Sequence, residues 1–397
     1  MDVRDKLNLL GQAAQYDDRM SRGLFAPKDG DEQPIRDLAP CISHLTTPDG
    51  RRKPILKVLQ TSACQHNCRY CAFRAGRDFR RATFKPDELA RAFDLMYRSG
   101  VVDGLFLSSG VIGTARTMDE MIATTELIRD RYAYRGYIHL KLLPGAEAAQ
   151  IERAVALADR VSVNLEAPTP EALALLAPQK QLGSLTGPLF TAHELVRELR
   201  ARDGRRASAP GGVGLGMSTQ FVVGPAGETD RELLSMAQSL YRKAGLSRAY
   251  YSAFTPVSRT PLENAAPTDP KREFRLYQAD FLLRRYGFST EELPFDARGR
   301  LDEALDPKAA WARAHPERFP LEVNLASPVE LMRVPGIGPV SAQAIVQARR
   351  SGAIRGLEHL RRLGARADQA APYILLAGTR PPYQPPLPFE AATAAHP

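Results

Sequence analysis

The chain has 397 residues, 44% of them hydrophobic and 25% charged, a balance that supports one large globular domain plus a small one and excludes disorder over most of the length. No window approaches the roughly 20 uninterrupted apolar residues of a membrane span, and the opening MDVRDKLNLLGQAAQYDD carries acids where a signal peptide needs an apolar run, so a cytoplasmic location is expected. The 54 Lys and Arg against 45 Asp and Glu leave a net charge of +9, which suits an anionic partner.

Residues 1–54 read as a lead-in segment, a polar helix-like start followed by turn-rich DGDEQPIRDLAP and TTPDGRRKP. From residue 55, short β-rich runs alternate with amphipathic ones. ILKVLQT, DGLFLSS, GYIHLKLL, RVSVNLE, GLGMSTQFVVG and SRAYYSAF are the predicted strands, and helices are expected near 86–99, 118–131, 147–158, 171–202 and 228–244. Six strand–helix repeats with right-handed crossovers give a parallel sheet, either doubly wound or a partial TIM-type barrel. The repeats and a further helix, KREFRLYQADFLLRRYGF, form a core over 55–290, followed by a connector over 291–320. Residues 321–379 read as short helices between Gly-containing turns, with no strand signal, and 380–397 as a flexible Pro-rich tail.

Three of the four cysteines, Cys64, Cys68 and Cys71, fall in TSACQHNCRYCAF just after the first strand. A short loop can thus present three thiolates to one inorganic centre. Zinc sites usually draw two ligand pairs from separated segments, and no second pair with that spacing exists here. Three thiolates can instead hold three irons of a 4Fe-4S cluster and leave the fourth open. Cys41 stands apart and reads as a buried inert thiol, and His66 as a loop residue near the cluster. Between the cysteines and the first helix, Arg69, Arg74, Arg77, Arg80, Arg81 and Lys85 face only Asp78, which favours a phosphate-bearing substrate.

In a βα barrel the active site forms where the strands finish. The second predicted strand ends in Ser108, Ser109 and Gly110. His139 and Lys141 share one face of the third strand by period two, as do Ser162, Asn164 and Glu166 on the fourth, and that face should be the barrel interior. Gln220 lies on the fifth strand ahead of GPAGETD, which holds Gly224 and Glu228, and the sixth offers Tyr250, Tyr251 and Phe254.

The cysteine spacing, on the loop after the first strand of a βα repeat, resembles the radical SAM superfamily, and Tyr70 before the last cysteine also matches. The resemblance implies a partial (β/α)6 TIM-type barrel with a 4Fe-4S cluster on Cys64, Cys68 and Cys71. In that family the open iron chelates S-adenosylmethionine, and an electron from the cluster breaks the sulfonium bond to the 5′ carbon. The 5′-deoxyadenosyl radical then takes a hydrogen atom from substrate. Tyr70, Ser108, Ser109, Gly110, Lys141, Asn164, Glu166 and Gln220 are the cofactor-binding positions so implied; where the family often shows GGE, this chain has SSG. A one-electron reductant such as flavodoxin or ferredoxin is implied with them.

Near the C-terminus, Ser327-Pro328 with Glu330 forms a capping box, and the turn Pro335-Gly336-Ile337-Gly338 leads into a second helix at Pro339. Two glycines let the backbone turn tightly and expose N–H groups beside a helix N-terminus, a ready phosphate site. The stretch 321–379 resembles a tandem helix-hairpin-helix domain of DNA-binding proteins, with a second copy, LRRLGARADQAAPYI, that has lost one glycine. Nucleic-acid contacts are expected from Gly336, Ile337, Gly338, Val340, Arg349 and Arg350, with charge also from Arg333, Arg355, Arg361 and Arg362 for non-specific contact to double-stranded DNA.

The combination resembles the branch labelled DNA modification or repair radical SAM proteins, which implies a radical enzyme acting on a nucleic acid and a partner like uracil-DNA glycosylase. Two alternatives stay open: a radical SAM enzyme on a small-molecule or protein substrate with a docking C-terminal module, and a non-enzymatic metal-stabilised DNA-binding protein. The tail segment Gln384-Pro385-Pro386-Leu387-Pro388-Phe389 resembles the peptide with which replication and repair proteins hold the sliding clamp.

Overall fold

The computed structural model describes residues 1–14, 41–46, 50–203 and 216–383. They fall into two compact units, one ending at Tyr277 and the other beginning at Gln278. The tail segment expected to meet a sliding clamp lies outside the described residues.

The first unit is a curled half-barrel of seven strands with helices. In chain order its elements are α1 (Val3–Ala14), β1 (Ile42–Thr46), β2 (Arg52–Leu59), α2 (Pro86–Arg98), β3 (Gly104–Ser108), α3 (Thr114–Glu126) and β4 (Tyr137–Lys141). They continue with α4 (Ala148–Leu157), β5 (Arg160–Glu166), α5 (Pro170–Leu176), α6 (Leu182–Asp203), β6 (Gly216–Val223), α7 (Asp230–Lys243), β7 (Arg248–Ala253) and α8 (Pro270–Arg285), the last running across the unit boundary. The strands lie side by side in sequence order. β2 to β7 pair in parallel, and β1 adds an antiparallel edge that the lead-in segment did not announce. Residues before Cys41 contribute α1, which buries Leu7, Leu10, Ala13 and Ala14 and joins Lys6 to Glu88 of α2 at 2.5 Å.

Strand periodicity divides the sheet into two chemically different faces. Leu56, Val58, Leu105, Leu107, Ile138, Leu140, Val161 and Val163 are all fully buried and form one apolar set. The alternate positions face the lumen and are largely polar: Lys57 on β2, Ser108 on β3, His139 and Lys141 on β4, Ser162 and Asn164 on β5, Ser218 and Gln220 on β6. The expected inward faces of β4 and β5 are therefore formed.

A buried ion pair fixes the lower edge of the barrel. After α3 the helix widens into a π-turn, Leu127–Arg131. Within it the Arg129 guanidinium donates to the carbonyls of Leu157, Tyr134 and Gly136 and to Asp159 Oδ2 at 3.0 Å. Asp159 also accepts the Ile138 N–H of β4. Both side chains are almost fully buried, so removing one partner leaves a charge or several carbonyls without satisfaction.

The second unit has its own core, with Val323, Leu331, Val334, Ile337, Ile345, Ile354, Leu360 and Ile374 at the centre. Around it lie α9 (Pro307–Ala314), α10 (Pro328–Arg333), α11 (Pro339–Ala348), α12 (Leu357–Arg362) and α13 (Ala367–Ala370). A short parallel pairing, β8 (Leu321–Glu322) with β9 (Ile374–Leu375), ties its two ends, although no strand was expected there. The expected capping box forms: Ser327 N–H donates to Glu330 Oε2 at 2.7 Å, and Glu330 N–H to Ser327 Oγ. Residues 291–320 are built into this unit. Lys308 Nζ donates to the Ile337 carbonyl, Arg333 binds Glu292, and Trp311 packs edge-on against Phe288 and Phe319.

Arg129→Met should destabilise the first unit by about 3–5 kcal/mol, the range for breaking a buried pair. Urea unfolding followed by hydrogen exchange of β4 and β5 amides would measure it; an unchanged midpoint would show that the pair is dispensable.

Candidate active site and hairpin module

The stretch between β2 and α2 holds no regular element longer than an isolated bridge, yet it is tied down residue by residue. At its base Thr61 bridges Thr83, and the N–H groups of Ser62 and Phe84 donate to Ala82 and Gln60. Further out, Gln65 N–H reaches Val111, Arg69 N–H reaches Leu176, and Asn67 N–H reaches Gln179 Oε1. Arg81 is the central fastening. Its guanidinium donates to the carbonyls of Ser62, Phe73, Arg74 and Arg77 and lies over the Phe79 ring at 4.3 Å. Arg77 likewise binds the carbonyls of Ala72 and Ser258. Two of the loop's six basic side chains therefore hold the loop together, which weakens the expectation of a broad phosphate-attracting surface. Arg69, Arg80 and Lys85 remain exposed.

So fastened, the loop brings Cys64, Cys68 and Cys71 to one cavity at the C-terminal ends of the strands. Tyr70, Ser109, Gly110, Lys141, Asn164, Glu166 and Gln220 line the same cavity, as do His66 and Phe254. Ser108 does not. Its side chain is buried, and its carbonyl accepts the Gln60 N–H. Tyr251 also points away, packed against Phe221 and Tyr277 in the core. Gly110 permits a close crossing: its N–H donates to the Thr61 carbonyl at 2.7 Å, and a Cβ there would overlap the Ala63 carbonyl.

Lys180 was missed by sequence reasoning. It lies in the turn between α5 and α6, outside any motif, and its Nζ meets Glu166 Oε1 at 2.9 Å. Glu166 reaches that position because β5 bulges between Asn164 and Glu166 and Glu166 adopts a left-handed φ of +66°. Burial alone would lower the Lys180 ammonium, but Glu166 and the Cys68 thiol outweigh it and hold lysine above its usual range. Burial raises the Cys68 thiol while Lys180 pulls it down, and burial with the Glu166 carboxylate raises the Tyr70 phenol well above its usual range.

The donor set suits a cluster with an open iron. Among the described residues no three His, Cys, Asp or Glu side chains are placed to hold a single metal ion, whereas thiolates of a cluster each hold a different iron. The Phe73 N–H donates to Cys71 Sγ at 3.4 Å, an interaction that supports negative charge on sulfur. Ser109 Oγ and Glu166 Oε2 are buried without hydrogen-bond partners, which a bound molecule would supply. Cys41 lies away from this set, fully buried, with its thiol pushed up to about 11 by burial.

In the second unit the hairpin forms between α10 and α11. Gly336 has φ +83°, and a Cβ there would overlap the Arg366 carbonyl. Several expected contacts take other roles. Ile337 is core, 1% exposed, and its N–H donates to Val334. Gly338 N–H donates to Ser341 Oγ at 2.8 Å, so the turn satisfies its own amides more fully than its glycines suggested. Arg349 binds the carbonyls of Val323 and Ala326, Arg333 binds Gly287 and Glu292, and Arg361 pairs with Glu358 and Asp368. Val340, 83% exposed, and Arg350, Arg355 and Arg362 point outward.

Residues 58–240 match the family model described as the Radical SAM superfamily, and residues 320–374 match the helix-hairpin-helix motif. No curated protein matches. Among solved structures, HydG, a maturase of the FeFe-hydrogenase, aligns at TM-score 0.45 and 12% identity over 57% of this chain and 48% of that one. HydG from Carboxydothermus hydrogenoformans aligns at 0.43 and 15%, over 57% and 50%, and methylornithine synthase (PylB) at 0.44 and 10%, over 57% and 60%. The chain thus spans about half the length of the HydG chains, and likenesses below a TM-score of 0.5 decide nothing about substrate. The chain thus carries a match to the radical SAM family over 58–240 and to the helix-hairpin-helix motif over 320–374, and its three loop thiols at one cavity are the donor set that a 4Fe-4S cluster would need. No helix among the described residues is long and apolar enough to cross a membrane.

Two outcomes follow. Replacing Cys64, Cys68 or Cys71 by Ala should abolish stable iron incorporation on anaerobic reconstitution, while Cys41→Ala should keep it, as measured by iron and sulfide content. In the hairpin unit, Lys308 is buried and its ammonium is lowered to about 7, chiefly by burial and against the pull of Asp306. Because the unfolded chain binds this proton more tightly, Lys308 should make stability rise with pH from about 7 towards the unfolded value near 10.4. Lys308→Met should flatten that rise in chemical unfolding of the full chain.

Proposed function

We propose that this protein is a radical SAM enzyme, dependent on a 4Fe-4S cluster and S-adenosylmethionine, that directs its chemistry at a nucleic acid, most simply in DNA modification or repair. The carrying observation is the helix-hairpin-helix motif joined in one chain to the match to the radical SAM family, with Val340, Arg350, Arg355 and Arg362 exposed in the same unit as the motif. Non-specific DNA binding needs only such backbone contacts, and it would bring substrate to the enzyme without selecting sequence.

The cluster and S-adenosylmethionine, when bound, supply a 5′-deoxyadenosyl radical that takes a hydrogen atom from substrate. The chain's own part is placement. Cys64, Cys68 and Cys71 would hold three irons of the cluster. Ser109, Gly110, Asn164 and Gln220 would edge the cofactor, and the Glu166–Lys180 pair would offer it a carboxylate and an ammonium. Tyr70 lines the same cavity from the loop side. A one-electron reductant completes the system.

A second reading, a small-molecule or protein substrate with the hairpin as a dock, is favoured by Arg77 and Arg81 being bound to loop carbonyls. The two separate by measurement. DNA should stimulate S-adenosylmethionine cleavage by the reconstituted enzyme, and its affinity should fall with salt. Replacing Arg350, Arg355 and Arg362 together by Ala should weaken DNA binding and shallow the log K against log salt slope by roughly 0.9 for each phosphate no longer neutralised. Unchanged affinity and slope, with cleavage indifferent to DNA, would favour the second reading.

A further inference from the structure

Beside the hairpin turn, and wholly within the second unit, lies a groove of about 910 Å³ in which the radical chemistry has no part. That volume falls in the range of roughly 300–1,000 Å³ typical of ligand clefts. The turn from Pro335 to Ser341 lines it, together with four aromatic rings, Phe281, Tyr286, Tyr373 and Tyr383. Two of the rings are fixed by packing. Tyr286 meets Phe281 edge-on at 5.8 Å, has Lys308 Nζ 4.7 Å from its ring centre, and sets its hydroxyl 3.2 Å from where a Cβ on Gly338 would stand. Tyr373 packs edge-on against Phe319 at 5.1 Å. Phe281 and Tyr383, by contrast, are 45% and 44% exposed, so a ligand in the groove can cover them.

Charge narrows the class of ligand. Residues 321–383 hold eight arginines and four carboxylates. Every one of those carboxylates is engaged by the chain itself: Glu322 accepts from Asn324 and the Gly378 N–H, Glu330 closes the capping box, and Glu358 and Asp368 both pair with Arg361. Arg333 and Arg349 end on carbonyls. The side chains of Arg350, Arg355, Arg362, Arg366 and Arg380 are exposed and make no ion pair among the described residues, and Arg366 lines the groove. An excess of uncompensated cations suits a polyanion over a neutral or basic peptide.

The turn's own hydrogen bonds narrow it further. Ile337 N–H goes to the Val334 carbonyl and Gly338 N–H to Ser341 Oγ, while the Gly336 carbonyl accepts the Arg366 N–H. A duplex phosphate would find those two amides already taken. An unpaired nucleotide needs other things: a ring face on which its base can stack, and a cation beside it for the phosphate. Gln369 lines the same groove, and its exposed amide, which makes no hydrogen bond among the described residues, offers a donor and an acceptor to a base edge.

We infer that the groove seats an unpaired nucleotide of a single-stranded nucleic acid, its base against Phe281 and Tyr383 and its phosphate at Arg366. The inference rests on the nucleic-acid reading above and narrows it from duplex backbone to single strand.

Fluorescence anisotropy of the full chain tests it with three labelled probes: oligodeoxythymidine, its duplex with oligodeoxyadenosine, and an abasic strand of equal length that keeps the phosphates and lacks the bases. Wild type should bind oligodeoxythymidine about tenfold tighter than the abasic strand, the scale of base–aromatic stacking. Phe281→Ala with Tyr383→Ala should erase that preference and leave affinity for the abasic strand unchanged, which a merely structural role for the rings would not do. If the double variant fails to fold, each single substitution decides. Arg366→Gln should weaken both single strands alike, severalfold, because it meets the phosphate. Leu325→Ala, exposed in the same unit but not in the groove, is the unchanged control. Equal affinity for the two single strands in wild type, or a preference that survives both ring substitutions, overturns the inference. Duplex binding tighter than single-strand binding, with the ring variants silent, overturns it too and leaves the nucleic-acid reading standing. Binding of none of the three probes ends that reading as well and gives the groove to a protein partner.

Discussion

A loop that offers three thiols to one cavity cannot also satisfy its backbone through helix or strand ladders, because those ladders would carry the side chains away from a common point. Its carbonyls still need donors. Arg81 supplies them, with five N–H groups in a rigid fork that reaches four carbonyls of the same loop. The position of Cys64, Cys68 and Cys71 relative to the strand ends depends on that fastening, and through it so do the cavity and the chemistry.

Period two made the lumen legible. Lys141, Asn164 and Gln220 could be placed on the inner face from alternation alone, since the apolar partners at Leu140, Val163 and Phe221 had to face the other way. The thiol spacing was equally readable because a single short loop carries it. Lys180 was not, since its meeting with Glu166 depends on a bulge that shifts the register at the end of β5 and on a turn 14 residues downstream. Neither leaves a periodic trace.

Arginine was the residue type whose role composition least disclosed. Arg77, Arg81, Arg333 and Arg349 counted as surface charge, yet each ends on carbonyls inside its own unit. Arg129 does the same beside Asp159. A guanidinium is the natural staple where irregular backbone is buried, so fewer of these arginines offer free N–H groups to a polyanion than their number suggests. The hairpin glycines erred in the same direction, for Ser341 takes one of the amides that a phosphate was expected to use.

The fourth thiol bears on how a metal centre held by the other three would fare in air. Cys41 is fully buried, and α1 presses so close that a Cβ on Gly11 would overlap its side chain. Oxidation of the iron leaves the loop thiols free to seek a sulfur partner, and an exposed fourth cysteine would trap one of them as a disulfide. With Cys41 sealed beneath the N-terminal helix, that dead end is closed.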